Sequence, residues 1–212
     1  MQLLTTSNKD VRFDHLRSNP AAERFIPAIL PWVLQAWSPY IEWLLGGRVA
    51  ARRTIESWMR RASSEVSVWR STALLHREEP VGAFIALGAR ELRVCRAADA
   101  LAALGTSDPE GREALTARMA EAKGLFQPVE ADCFYLSKMG VAPTWRRRGL
   151  GRELLGGFLE QGRASGFKRF RLDVYEGQVE AIGLYRSEGF ELLSRGATRD
   201  GRLRYQAMIL ER

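Results

Sequence analysis

Residues 145–160, WRRRGLGRELLGGFLE, set three consecutive arginines against Gly-Leu-Gly at the head of an amphipathic segment. Adjacent positive charges repel one another, so the fold gains nothing from the cluster alone, and an anion suits it. A helix that starts near Leu150 leaves its first amides without intrahelical acceptors, at the positive end of the helix dipole. Gly149 and Gly151 remove side chains where a phosphate would approach that backbone. Arg146, Arg147, Arg148 and Arg152 add permanently charged, bidentate donors. The stretch 147–152 therefore reads as a pyrophosphate cradle, with a solvated arginine face as the alternative. It is not the phosphate loop of nucleoside triphosphatases, because no Gly-Lys-Ser/Thr follows, and it lacks the third glycine of the dinucleotide fingerprint.

The charge distribution points to the same place. The chain carries a net charge of +7. Between Lys138 and Arg171 there are nine basic residues and two acidic ones, while the remainder holds 23 of each sign, so the whole excess lies around the arginine run.

These residues need elements to position them. The segment DCFYLSKMGV reads as a strand, APTWRRRG as a loop and LGRELLGGFLEQGRASG as a helix, with Leu150, Leu154, Leu155, Phe158 and Leu159 on one stripe. KRFRLDVYE is a strand, QVEAIGLYRSEG a helix closed by Gly189, and FELLSR and LRYQAMIL are the last strands. Upstream, 21–62 reads as helical, broken by Pro27, Pro31 and Pro39. The stretch 66–88 reads as a β-hairpin that turns at HREEP, with Val66 and Val68 in its first strand. Residues 89–125 return to a helical pattern divided at GTSDPEG, where Ser107 or Asp108 caps the second helix ahead of Pro109. Strand and helix alternate in a mixed α/β sheet with right-handed crossovers.

Composition limits the function classes. A chain of 212 residues, 46% hydrophobic and 27% charged, suits one soluble core with an appended subdomain. No uninterrupted apolar run reaches the roughly 18 residues that a membrane span needs. The start MQLLTTSNKD lacks the basic and apolar blocks of a secretory signal. Cys95 and Cys133 lie far apart and outside any metal-ligand spacing, which fits a reduced, cytoplasmic setting and no metal.

The combination LSKMGVAPTWRRRGLGRELL and FRLDVYEGQVEAIGLYRSEGF resembles the GNAT acyltransferases. That family's Arg/Gln-x-x-Gly-x-Gly/Ala is met by Arg146, Gly149 and Gly151, its Val-x-Pro by Val141 and Pro143, and its Ala-x-x-Leu-Tyr-x-x-x-Gly-Phe by Ala181, Leu184, Tyr185, Gly189 and Phe190. The resemblance covers about residues 131–193, a third of the chain.

It implies an α/β (α+β) fold: a GNAT-like mixed, splayed central sheet flanked by helices, with a helical insertion at 89–125 between the third and fourth strands. The chain would form one domain. A strand and helices occupy 1–65, the hairpin 66–88, the cofactor-binding core 131–193 and the closing strands 194–212.

The resemblance also implies acetyl-CoA as acyl donor. Its diphosphate would sit on Arg146, Arg147, Arg148, Gly149, Leu150, Gly151 and Arg152, and its pantetheine arm on the backbone of Met139, Gly140 and Val141. Gln178 stands where the family often has asparagine. Tyr185 matches the family's general acid, since a phenol can return a proton to a thiolate; an amphipathic core tyrosine is the alternative. The strand glutamate that often serves as base is missing, and Asp132 is the first choice to act in its place through water.

The implied reaction is acetyl transfer to a primary amine of a small molecule or peptide, by direct attack in a ternary complex. An RNA-linked acceptor such as an aminoacyl-tRNA, motivated by the basic segment, and a non-catalytic CoA-binding module, motivated by the missing glutamate, are the alternatives. A homodimer is left open. The acceptor would be shaped by the Trp-rich region 25–62, the insertion and the final hairpin. Trp32, Trp37 and Trp43 are expected to fill core rather than line a pocket. His15 and His76 lack a nucleophile or metal partner in sequence, and Cys133 reads as a buried structural thiol.

Overall fold

The computed structural model describes residues 11–211. The MQLLTTSNKD segment and its signal-peptide expectation lie outside the described residues.

Arg77 and Glu78, both at positive φ (48° and 68°), close a two-residue turn between β2 (Ser71–His76) and β3 (Glu79–Gly88). Such a turn has the twist that a tight hairpin requires. β1 (Val11–His15) adds to the outer edge of β2. β4 (Cys133–Val141) lies antiparallel to β3. β5 (Arg169–Tyr175) runs parallel to β4, and β7 (Arg204–Glu211) and β6 (Glu191–Ala197) complete a seven-stranded sheet in the order β1-β2-β3-β4-β5-β7-β6.

One face is covered by α1 (Ile26–Trp37), α3 (Arg48–Met59) and α4 (Ala89–Thr106), packed on Ala83, Ile85, Leu87 and Tyr135. The short α2 (Tyr40–Leu45) links α1 to α3. The other face is covered by α6 (Leu150–Ala164) and α7 (Val179–Ser187). All five residues of the α6 stripe are buried, and Phe158 stacks on Phe134 at 5.3 Å. The insertion is α4 followed by α5 (Pro109–Ala122), with Asp108 as the N-cap, accepting from the Gly111 amide at 2.7 Å. No helix among the described residues is long and apolar enough to cross a membrane.

Two sequence expectations change. Pro31 does not break α1, because it sits in the second turn on the exposed side and removes only the bond to the Pro27 carbonyl. Val66 and Val68 are fully buried but not in a strand. The chain crosses there as an irregular run ending in a 3-10 turn, Val68–Arg70, so burial without a ladder imitates a β pattern.

The site depends on a defect in the sheet. β4 and β5 pair only from Cys133↔Arg169 to Leu136↔Leu172, although both strands continue. At the same point Ser137 bulges out of the β3–β4 ladder, since Ile85 faces Lys138 and Ala86 faces Leu136. A bulge bends its strand, and β4 leaves β5 at that residue. The result is a gap between the strand ends, with β4 still paired to β3 and β5 still paired to β7.

Candidate active site

The gap opens into a cavity of about 460 Å³ whose walls are the end of β4, the turn before α6, the middle of β5 and the inner side of α7. At its head, Gly149 adopts φ 84°, a left-handed conformation that suits glycine, and Arg147 does so at φ 60°. The amides of Arg147, Gly149, Leu150 and Gly151 donate to no carbonyl among the described residues, whereas those of Arg152 and Glu153 both reach Gly149 O. Four amides with unmet capacity thus lie at the start of α6; all four residues border the cavity, and two of them, Gly149 and Gly151, have no side chain to block it. This is what a diphosphate needs.

Arg146, Arg147 and Arg152 border the cavity, against Glu180. Arg146 is partly engaged, donating to Val141 O at 3.2 Å and Gln35 Oε1 at 2.7 Å, and Arg152 donates to Glu188 Oε1 at 2.6 Å. Arg148 does not border the cavity; its guanidinium lies over Trp145 at 5.0 Å from the ring centroid. Gln178 does, with Nε2 donating to Gln35 O at 3.2 Å. Met139, Gly140 and Val141 line the β4 side, where their backbone has no β5 partner. Gly140 answers a different need as well: a Cβ there would lie 2.5 Å from Trp32 Cβ, so α1 rests directly on the strand.

Tyr185 projects from α7 into the same cavity, 8% exposed, and its hydroxyl has no hydrogen-bond partner among the described residues. Burial pushes the phenol up to about 12, so it holds its proton throughout the neutral range. The structure does not bring Asp132 to this place. Asp132 sits just ahead of β4, at the end opposite the gap, with its side chain 62% exposed and paired to Arg169 at 3.0 Å. It lines neither this cavity nor its neighbour.

Other carboxylates flank the gap. A second cavity, about 260 Å³, lies on the other side of the opening and shares Ala36, Ser137, Lys138 and Asp173 with the first. Asp173, on β5, accepts from Tyr135 Oη at 2.9 Å and faces Arg171 at 3.5 Å. Burial raises its carboxyl above the usual range, against the opposing charges of Arg171 and Arg96. Glu65 comes from the irregular run before β2. It accepts from Ser137 Oγ at 2.5 Å and pairs with Lys138 at 3.2 Å and Arg96 at 2.9 Å. Burial alone would raise the Glu65 carboxyl, but Arg96 and then Lys138 outweigh it and hold it at about 2. Burial brings the Lys138 ammonium down to about 8, while its Nζ sits 3.7 Å from the Trp37 ring centroid.

The strand itself carries no glutamate, so this acidic environment is assembled from two remote segments. Asp173 had a sequence signal: Arg169, Arg171 and Asp173 alternate along an otherwise apolar strand and place charge on one face. Glu65 had none, because Val66 and Val68 beside it suggest a strand.

The remaining sequence candidates are placed as follows. His15 Nδ1 meets Thr72 Oγ1 at 2.9 Å, and the His76 ring packs at a tilt of 51° against Trp145, with centroids 4.7 Å apart. Burial pushes the Cys133 thiol up to about 11, which suits a structural role. Trp32 packs in the core as expected, but Trp37 lines the second cavity. Of the nine cations of the basic segment, Lys138 and Arg171 are buried against carboxylates, and Arg152 and Arg169 are paired at the surface. The surface field is therefore weaker than the count suggests.

Residues 118–190 match the profile of the Acetyltransferase (GNAT) family. No curated protein sequence matches the chain significantly. Among solved structures, an N-acetyltransferase from Staphylococcus aureus Mu50 is similar at TM-score 0.66 and 17% identity, over 89% of this chain and 96% of that one. A Drosophila melanogaster polyamine N-acetyltransferase is similar at 0.58 and 16% identity, over 96% and 100%. A ribosomal-protein-alanine N-acetyltransferase from Brucella melitensis is similar at 0.53 and 20% identity, over 95% and 99%. Identities this low speak for the fold, and the profile match falls on the segment that builds the gap, the amide-lined helix start and Tyr185. Profile and geometry thus converge on one segment: residues 118–190 match the GNAT acetyltransferase family, and the chain as a whole shares the fold of these acetyltransferases.

Proposed function

We propose that the chain transfers an acetyl group from acetyl-CoA to a primary amine of a small molecule, by direct attack within the gap between β4 and β5. The observation that supports this is the adjacency of the two cavities: the amide-lined start of α6 opens one of them, and Ser137, Lys138 and Asp173 border both. Acetyl-CoA, when bound, supplies a thioester carbonyl open to attack by a neutral amine.

The residues divide the work by chemistry. The amides of Arg147, Gly149, Leu150 and Gly151, with the charges of Arg146, Arg147 and Arg152, hold a diphosphate. The unpaired β4 edge at Met139, Gly140 and Val141 offers backbone partners to a pantetheine arm, and Gln178 borders it. Asp173, rather than Asp132, is the carboxylate placed to take a proton from the acceptor nitrogen, directly or through a water. Its raised affinity for protons favours that step. Tyr185 keeps its proton until a thiolate needs it.

Incubation with acetyl-CoA and a broad panel of primary amines, with free thiol followed over time, tests the proposal. Amine-dependent thiol release with the mass of one acetyl group gained by the amine is expected. Thiol release that no amine accelerates overturns it.

A further inference from the structure

Arg96 belongs to α4, the first helix of the insertion, and its guanidinium works in two directions. Nε donates to Glu65 Oε2 at 2.9 Å, and Nη2 donates to Tyr135 Oη at 3.1 Å. Because Tyr135 Oη accepts from Arg96, its own hydrogen is directed to Asp173 Oδ2, 2.9 Å away. Glu65, held through Oε2, accepts through Oε1 from Ser137 Oγ at 2.5 Å and from Lys138 Nζ at 3.2 Å. Ser137 and Asp173 are the first residues past the last β4–β5 pair, Leu136↔Leu172. One chain of contacts therefore runs Asp173–Tyr135–Arg96–Glu65–Ser137 and joins the two strands where their ladder stops. Backbone pairing no longer sets the spacing there, and a connected network of side chains takes its place.

We propose that Arg96 is a positioning residue for the transfer reaction: from the insertion it aims the Tyr135 hydroxyl at Asp173 and holds Glu65 against Ser137, so that the proton-accepting carboxylate and both strand ends keep their places around the reacting atoms. This rests on the acetyltransferase reading above and gives the insertion a task in it. Asp173 takes the proton from the acceptor nitrogen, and Arg96 acts only through Tyr135 and Glu65. Its charge matters as well as its shape. Burial raises the Asp173 carboxyl, and the charges of Arg171 and then Arg96, with the Tyr135 hydrogen bond, oppose that rise. The other titratable groups around Asp173 are Lys138 on β4, Tyr205 on β7 and, across the gap, Tyr185 on α7. Arg171, the nearer cation, is shared with Glu130 and the Pro128 carbonyl, at 3.1 and 3.0 Å. Without Arg96 the Asp173 carboxyl therefore holds a proton to higher pH, and a protonated carboxyl cannot accept one from the amine.

The test compares Arg96→Met, Arg96→Lys and Tyr135→Phe with the wild type, each checked by its melting curve, and uses two readouts. The first is the Asp173 titration in the ligand-free chain, followed by carboxyl-carbon NMR and assigned with Asp173→Asn. Its midpoint should move to higher pH in Arg96→Met and in Tyr135→Phe, and Arg96→Lys, which keeps the charge, should fall between Arg96→Met and the wild type. The second is the pH profile of kcat/KM with acetyl-CoA and the fastest amine of the panel. Arg96→Met should lose about tenfold near pH 7 and recover toward the wild type at higher pH, with acetyl-CoA affinity unchanged within about twofold. A merely structural role gives a loss of equal size at every pH, and that result overturns the inference. So does a midpoint unmoved in both Arg96→Met and Tyr135→Phe, or a midpoint that moves while the rate profile stays in place. Each of these leaves the acetyltransferase reading standing. If Arg96→Met does not fold, Tyr135→Phe decides both readouts. A moved midpoint in a chain whose wild type releases no thiol with any amine supports the hold of Arg96 on Asp173 and overturns the transfer reading.

Discussion

Leu136 of β4 and Leu172 of β5 are the last residues at which the two parallel strands face each other. Both strands then continue, joined to other neighbours, and Ser137 bulges immediately after Leu136. A ladder that ends in mid-sheet leaves backbone donors and acceptors unpaired in a protein interior, a cost that persists where a ligand uses them. The glycine-rich start of α6, Tyr185 and Asp173 all border this opening.

The cradle yields the first prediction. Gly149→Glu places a side chain at φ 84° and a negative charge among amides that await an anion. Acetyl-CoA affinity should fall by about a hundredfold, read by calorimetry. An affinity within about twofold of the wild type would remove the cradle from its role.

Tyr185→Phe removes a proton donor and leaves the helix and its packing against Phe190 in place. Turnover should fall by about a hundredfold or more, with acetyl-CoA affinity nearly intact. The loss belongs in kcat because the hydroxyl acts only as the thiolate leaves. Unchanged kcat would return Tyr185 to a packing role.

Much of this was legible because it is local in sequence. The glycine-rich helix start proposed to hold a diphosphate, the strand before it and the helix bearing Tyr185 lie within about sixty residues, and periodicity and glycine positions mark each. The second cavity was not legible, because its wall is drawn from α1, α2, α3, α4, α5 and β7, and no spacing rule joins Trp37 to Asp99 or Tyr205. Asp132 looked suitable because it is acidic and adjoins the right strand. Three-dimensional placement decides against it, since the splay begins beyond Leu136 and each strand residue advances the chain by about 3.3 Å. Glu65 was hidden by its neighbours: Val66 and Val68 are buried without being in a strand.

Glu65 carries a prediction for acid stability. Its folded-state pKa, about 2, lies below the ordinary 4.5. A depressed carboxyl stabilises the fold fully above the ordinary value, and that contribution is lost as pH falls toward the folded one. Between about pH 4.5 and 2 the wild type should lose on the order of 3 kcal/mol from this group, seen as a falling urea midpoint. Glu65→Gln should be less stable at neutral pH, because Lys138 and Arg96 lose their buried partner, and should show a shallower slope over that acid window. Equal slopes in the two proteins would contradict the pairing.

Asp99 carries the opposite sign. Its folded-state pKa, about 6, lies above the ordinary 3.8. Its contribution is therefore favourable below the ordinary value and is lost as pH rises through the folded one. Above that window the ionised group strains the fold, so Asp99→Asn should melt a few degrees above the wild type near pH 8 and lose that advantage near pH 4. A variant that melts lower at both pH values would show that the Ser64 hydroxyl and the Glu65 amide compensate the ionised Asp99.

The central claim is that the opening beyond Leu136 and Leu172 seats a coenzyme by its diphosphate. A crystal structure of the chain grown with CoA tests it most directly. The account predicts diphosphate oxygens within hydrogen-bond distance of the Gly149, Leu150 and Gly151 amides, with the pantetheine arm lying along Met139, Gly140 and Val141 toward Tyr185. A coenzyme bound elsewhere, or a gap closed by the chain's own side chains while CoA stays in solution, would contradict it.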